Sequence, residues 1–157
     1  MGEKTDPFRP LDDEAREMMA ALLQAEHAAL AVIDPETGTP QVTRIGFTWL
    51  EGAALTIIST LSTHTAALAA NPACGLMVGT PGQKGDPLTH PRLSLDARAV
   101  LRDKAAWRER YIAARPKTKL YYDFTDFGLY EFEVTGGLLN GGFGKAYKIA
   151  PTDLPKE

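Results

Sequence analysis

Seven consecutive residues, Ser59-Thr60-Leu61-Ser62-Thr63-His64-Thr65, supply five hydroxyls and one imidazole, with no carboxylate among them. They lie between an apolar run, Ala53-Ala54-Leu55-Thr56-Ile57-Ile58, and an Ala-rich segment that ends at Asn71-Pro72. A strand that ends in hydroxyls and runs into a helix start suits an anion. The first helical N–H groups have no intrahelical partner, the macrodipole is positive there, and hydroxyls donate to phosphate oxygens. Simple N-capping by Ser62 or Thr63 also fits, although a cap needs one hydroxyl and not five.

Arg44 sits in mid-strand between Val42 and Ile45. Paired as a hairpin, its strand brings the guanidinium towards the hydroxyl cluster, where a planar fork makes paired bonds to phosphate. An exposed strand arginine is the plainer alternative. The histidines are His27, His64 and His90, and their spacing matches no zinc signature. Of the three, His64 stands at the anion-like helix start. Cys74 lies in the apolar run Cys74-Gly75-Leu76-Met77-Val78 and reads as a buried filler. Gly-x-Ser-x-Gly is missing, and Gly137, Gly141, Gly142 and Gly144 follow no strand-to-helix phosphate pattern. Tyr121-Tyr122-Asp123-Phe124-Thr125-Asp126-Phe127 sets four aromatics around two carboxylates, core in the main, with a subset able to line a flat-ring pocket.

The elements that must hold these residues are short. Leu11 to Glu26 has helical spacing of Ala15, Met18, Met19, Leu22 and Leu23 behind an acidic first turn. Strands are expected over His27–Asp34, Pro40–Leu50 and Ala53–Ser59, joined by tight turns into an antiparallel meander. A helix over Thr63–Ala70 leads to a strand over Cys74–Gly79 and a loop over Thr80–Pro91. Arg92–Arg102 alternates apolar and polar residues as a strand with one wet face. Ala105–Ala114 is helical up to Pro116, with a short helix over Thr118–Tyr122. Gly128–Thr135 is a strand broken by Gly136-Gly137, and Phe143–Ile149 pairs last. With no regular βαβ alternation, the count of six to seven strands points to a mainly β architecture with peripheral helices (α+β), an antiparallel barrel. The domain divides as a mobile arm over 1–10, one barrel domain over 11–150 and a tail over 151–157.

The chain has 157 residues, enough for one domain with a real core. Its formal net charge of −3 argues against nucleic acid and acidic membranes as partners. A single cysteine excludes an internal disulfide and fits a reducing compartment. With no basic-apolar export signal and no apolar run of membrane-spanning length, the expected location is cytoplasmic.

Together these pieces resemble the pyridoxamine-phosphate-oxidase-like FMN-binding split barrels, from about Arg9 to Lys148. Arg44-Ile45-Gly46-Phe47-Thr48-Trp49 is similar to the family strand that carries Arg ahead of a hydrophobic run. Ser59-Thr60 match its Thr/Ser-rich turn, Thr63-His64-Thr65 fall where Ser-Arg-Lys stands, and Asn71-Pro72 close the pattern. Arg92 falls near a position where the family places a flavin-contacting Gln from the partner subunit. Five motifs resemble the bacterial haem-utilisation-related branch: Leu61–Thr65, Gly85–Leu88, Pro91–Leu95, Tyr121–Phe127 and Gly141–Ala146.

The resemblance implies FMN in a cleft shared by a homodimer, held by Arg44, Ile45, Gly46, Phe47, Trp49, Ser59, Thr60, Thr63, His64, Thr65 and Arg92. It implies a flavin-dependent oxidoreductase of unassigned substrate, with no side chain required as acid or base and no metal. The alternative is a non-enzymatic flavin or haem carrier. Two departures stand out. His64-Thr65 replace the basic pair of the phosphate site, and Lys145-Ala146-Tyr147 replace the Arg-x-His that grips the vitamin B6 substrate, so oxidation of pyridoxamine phosphate is not expected. Haem-degrading relatives carry a further C-terminal domain beyond Glu157, which ranks haem below FMN.

Overall fold

The computed structural model describes residue 2 and residues 5–157. The expected mobile arm over 1–10 falls in part on Met1, Glu3 and Lys4, which lie outside the described residues. Within that segment Phe8 forms a single parallel bridge with Ala146, and Arg9 N–H donates to Ala146 O at 2.8 Å.

Among the described residues three helices, α1 (Asp13–Leu22), α2 (Thr63–Ala70) and α3 (Lys104–Ala114), flank eight strands. The strands are β1 (His27–Ile33), β2 (Pro40–Gly46), β3 (Thr48–Leu50), β4 (Ala53–Ser59), β5 (Ala73–Val78), β6 (Arg92–Arg102), β7 (Phe127–Asn140) and β8 (Ala146–Ile149). All ladders between them are antiparallel, in the order β2-β1-β5-β6-β7-β4-β3, with β8 added to β7.

The sheet begins at β2 and ends at β3, which are neighbours in sequence. The expected single strand over Pro40–Leu50 is therefore two strands, one on each edge, and the count is eight. The break falls at Phe47, whose N–H donates to Glu26 O at 2.9 Å and so closes the β1–β2 pairing, after which Thr48–Leu50 pair with β4. Thr56 Oγ1 donates to Gly46 O at 2.6 Å and draws β4 against the end of β2. One bent segment thus joins both edges, and the sheet curls into a half-barrel. The β3–β4 hairpin turns on Glu51 and Gly52, both at positive φ as a two-residue turn of matching twist requires.

The second difference lies at Gly136-Gly137. These residues do not break β7, which runs on to Asn140. A Cβ on Gly137 would lie 2.5 Å from Ser94 O, so the glycine lets β6 press close as the register shifts between Asp96 and Ala97. The expected short helix over Thr118–Tyr122 is a 3₁₀ turn over Pro116–Leu120.

The main core fills the curl with Leu30, Ile45, Phe47, Leu76, Leu95 and Phe132, closed on one side by Ala15, Met19 and Leu23 of α1. α1 starts where Asp12 Oδ1 accepts from Ala15 N–H at 2.8 Å, as an N-cap does. A smaller cluster of Leu55, Ile57, Tyr111, Tyr122 and Leu129 sits beneath α3. The outward face is different in kind. Across five strands one row runs Arg44, Ala29, Met77, Ser94, Leu138, and the next runs Val42, Ala31, Gly75, Asp96, Gly136. Val42 is 70% exposed, Leu138 48% and Met77 45%, which leaves an apolar stripe open on this face.

Candidate functional site at the start of α2

β4 delivers the hydroxyl cluster to the start of α2. Ser59 is spent on the turn itself: its Oγ donates to Asp126 Oδ2 at 2.6 Å and accepts from Leu61 N–H at 3.1 Å. Thr65 Oγ1 donates to Ser59 O at 2.6 Å and is buried. Two of the five hydroxyls are therefore structural. Ser62 occupies the N-cap position but makes no side-chain capping bond. The hydroxyls of Thr60, Ser62 and Thr63 bond to nothing among the described residues, so the cluster retains three free donors, while the Ser62 and Thr65 N–H groups are already spent on Ser59 O and Ser62 O.

His64 reaches β2, where its Nδ1 lies 3.1 Å from Thr43 Oγ1. Burial lowers its pKa and favours the neutral ring. In the tautomer in which the Thr43 hydroxyl donates to Nδ1, the ring proton resides on Nε2; that nitrogen is buried and has no partner among the described residues. An orphaned donor, three free hydroxyls and a helix N-terminus fit a phosphate group.

The remaining expected site residues divide. Arg44 is exposed on the outward face, one residue from Thr43 and on the opposite side of β2, and forms no ion pair among the described residues. Gly46 is exposed beside it. Ile45, Phe47 and Trp49 are buried in the main core. Arg92 lies on β6, two strands from β1, and its Nη1 donates to Leu88 O at 3.2 Å and to His90 O at 3.4 Å. Within one chain the structure brings Thr43, Ser59 and Thr65 together with His64, and leaves Arg92 apart.

Two concave regions flank this centre. A groove of about 430 Å³ on the outward face is lined by His27, Ala29, Val42, Arg44, Met77 and Thr80, among others. A cavity of about 360 Å³ lies between β3, β4 and the end of α3, with Gly46 and Phe47 at its edge and Thr48, Tyr111, Arg115 and Lys117 in its wall. Arg115 Nη2 holds the loop after α1 through Ala25 O at 3.1 Å, and its buried Nε has no partner among the described residues. Thr48 is 1% exposed, and its Oγ1 is likewise unpartnered within hydrogen-bond geometry. Burial pushes the Tyr111 phenol up, with Thr48 and Arg115 nearby pulling weakly the other way. The cavity therefore sets the hydroxyls of Thr48 and Tyr111 and the cations Arg115 and Lys117 beside one carboxylate, Glu26. The sequence reading missed it. The available signal was Tyr111 near the end of α3 with Arg115 at its C-cap, a phenol and a guanidinium within one turn of the helix end.

A curled antiparallel half-barrel with an anion-suited helix start at its edge defines a class, the split barrels. Residues 12–137 match the model of the pyridoxamine 5'-phosphate oxidase family, and the chain belongs to that family. It is similar to the chloroplastic heme oxygenase HOZ of Arabidopsis thaliana, 33% identical over 117 residues, covering 66% of this chain and 35% of that protein. Among solved structures it is similar to a heme binding protein from Mycobacterium smegmatis, at 26% identity and a TM-score of 0.79, over 92% of this chain and 60% of that one. It is also similar to Atu2129 of Agrobacterium tumefaciens, a protein of unknown function, at 29% identity and a TM-score of 0.79, over 96% of this chain and 65% of that one. The chain thus spans about a third of the curated relative and under two thirds of these two solved chains. Among the described residues no helix is long and apolar enough to cross a membrane.

Proposed function

We propose that the chain binds FMN at the start of α2 as a two-fold dimer and serves flavin-dependent redox chemistry on a small anionic substrate. The observation that carries this reading is the start of α2, where His64 Nε2 has no partner among the described residues and the N-cap Ser62 makes no side-chain capping bond, with Thr60 and Thr63 on either side of Ser62 in sequence. Those groups and the first N–H groups of α2 would hold the phosphate, and Arg44 would add charge from the outward face. When bound, FMN supplies two-electron transfer. The chain's own residues bind and orient. Tyr111, Arg115 and Thr48 would take the acceptor end of the substrate in the neighbouring cavity, and Phe47 would help keep water from its inner edge.

The dimer rests on the open stripe of Val42, Met77 and Leu138. Its neighbours Ala29, Ala31 and Gly75 carry small side chains or none, which would let a second copy approach closely. Arg44 lies at one end of that stripe, across β2 from the Thr43 contact of His64.

A second reading, haem binding, is favoured by one feature of the outward groove. His27 and Met77, both ligand types for haem iron, share it with Arg44, a partner for a propionate. The names of two relatives support the same reading. Titration of the apoprotein with FMN and, separately, with haemin distinguishes the two. The proposal expects saturable quenching of flavin fluorescence at about one FMN per chain. A Soret band that saturates with haemin, without flavin binding, would replace it by the haem reading.

A further inference from the structure

The aromatic and acidic segment 121–127 ties the start of α3 to the turn before α2. Lys104 opens α3 and is half-buried. Its Nζ donates to three main-chain carbonyls at once: Tyr122 O at 3.2 Å, Phe124 O at 2.8 Å and Phe127 O at 2.8 Å. Three bonds are the full donor capacity of an ammonium. Tyr122 Oη donates back to Lys104 O at 2.6 Å. Lys104 forms no ion pair among the described residues. The carboxylate that feels its charge, Asp123, is paired with Arg108 at 2.6 Å. The lysine therefore spends its donors on neutral oxygens, as a ring of main-chain carbonyls holds a dehydrated potassium ion.

The carbonyls of this cage bracket Asp126, since Phe124 lies just ahead of it and Phe127 follows it. Asp126 in turn holds the β4–α2 turn twice. Its main-chain O accepts from Thr60 N–H at 2.7 Å, and its Oδ2 accepts from Ser59 Oγ at 2.6 Å. Ser59 O then accepts from Ser62 N–H at 3.1 Å and from Thr65 Oγ1 at 2.6 Å. Every step from the ammonium to the N-cap of α2 is a hydrogen bond or a neighbouring residue. Without the cation, three converging carbonyls lose their shared donor, and the segment must open to find other partners. Asp126 would then carry Ser59 and Thr60 with it.

We infer that Lys104 is a positioning residue for the anion site. Its ammonium is a tethered cation, and the carbonyl cage around it sets the place of Asp126 and, through Asp126, the start of α2. The inference rests on the reading of that start as the FMN phosphate site. The cage selects by charge and size, so it accepts a free ammonium or potassium ion once the lysine side chain is cut back.

Lys104→Ala should weaken FMN roughly 2- to 30-fold in calorimetric titration, the span for a residue that acts through a chain of contacts. Ammonium or potassium chloride should restore most of that loss. Tetramethylammonium chloride at the same ionic strength of about 0.1 M should not, since screening is equal in every arm. Wild type, with its cage filled, should bind FMN alike in all three salts. A second readout needs no cofactor. Hydrogen exchange of the Thr60 amide, bonded to Asp126 O, should quicken in Lys104→Ala and slow again with ammonium. Lys104→Met keeps the packed stem and removes the charge, so it should show the same two losses, and it carries the test if the alanine variant folds poorly. Wild type that binds no FMN would remove the phosphate reading and leave Thr60 exchange to decide whether Lys104 sets this turn. FMN affinity within about twofold of wild type in both variants, unchanged Thr60 exchange, or a loss in Lys104→Ala that neither ion repairs would overturn the inference.

Discussion

Replacing His64 by alanine tests the phosphate site at its most specific point. In the folded chain Nε2 is buried and unpaired, and Nδ1 is 3.1 Å from Thr43 Oγ1. A bound phosphate would receive one charge-assisted hydrogen bond from Nε2–H, worth about 1.5–3 kcal/mol. At about 1.4 kcal/mol per factor of ten, His64→Ala should weaken FMN roughly 10- to 150-fold. The fold should lose little, since Thr43 is half-buried on an edge strand and water replaces its lost partner at a cost below about 1 kcal/mol. The pH dependence carries a sign. Burial lowers the His64 pKa in the folded chain, so the unfolded chain takes up this proton first as pH falls. Its contribution to stability is present above the unfolded pKa of about 6.5 and is lost as pH falls through the lower folded value. A bound phosphate favours the imidazolium, so the acid loss should shrink in the presence of FMN. The assay is calorimetric titration of FMN into wild type and His64→Ala, with thermal unfolding of both across the same pH range. A change in FMN affinity below about threefold, under 0.7 kcal/mol by the same conversion, would refute the placement of the phosphate.

Arg44→Ala should cost FMN binding about 1.5–3 kcal/mol, the range for a charged hydrogen bond, and equal affinities by calorimetry would remove Arg44 from the site. Leu138→Glu, at the end of the open stripe opposite Arg44, should turn a dimer into a monomer in light scattering, and an unchanged mass would place the interface elsewhere. Gly137→Ala forces a Cβ to 2.5 Å from Ser94 O and 3.0 Å from Leu95 Cδ2, so it should destabilise by about 1–3 kcal/mol in urea unfolding. A loss below about 0.5 kcal/mol, the usual range for a surface change, would show that β6 yields there.

What the residues revealed in advance followed how local the cause was. The bounds of α2 at Thr63–Ala70, β4 at Ala53–Ser59 and β6 at Arg92–Arg102 were legible, because hydroxyl, apolar run and alternation mark each end within a few residues. The break at Phe47 was not, because it marks a change of partner from β1 to β4, which depends on the curl of the whole sheet and not on the residues of the segment. Gly136-Gly137 read as a breaker because glycine's local preference is all a sequence offers, whereas here the reason is the backbone of β6. The site shows the same division. His64 and the hydroxyls could be singled out from their spacing. That Ser59 is committed to Asp126 depended on a contact between residues 67 positions apart. The assembly of Thr48, Tyr111 and Arg115 around one cavity depended on how α3 settles on β4.

The most direct test of the central claim is a calorimetric titration of FMN into apoprotein in parallel with free phosphate as competitor. The account predicts saturation at about one FMN per chain, competition by phosphate, and a marked loss in His64→Ala. Absence of flavin binding in folded, dimeric protein, or FMN binding indifferent to both phosphate and His64, would contradict it.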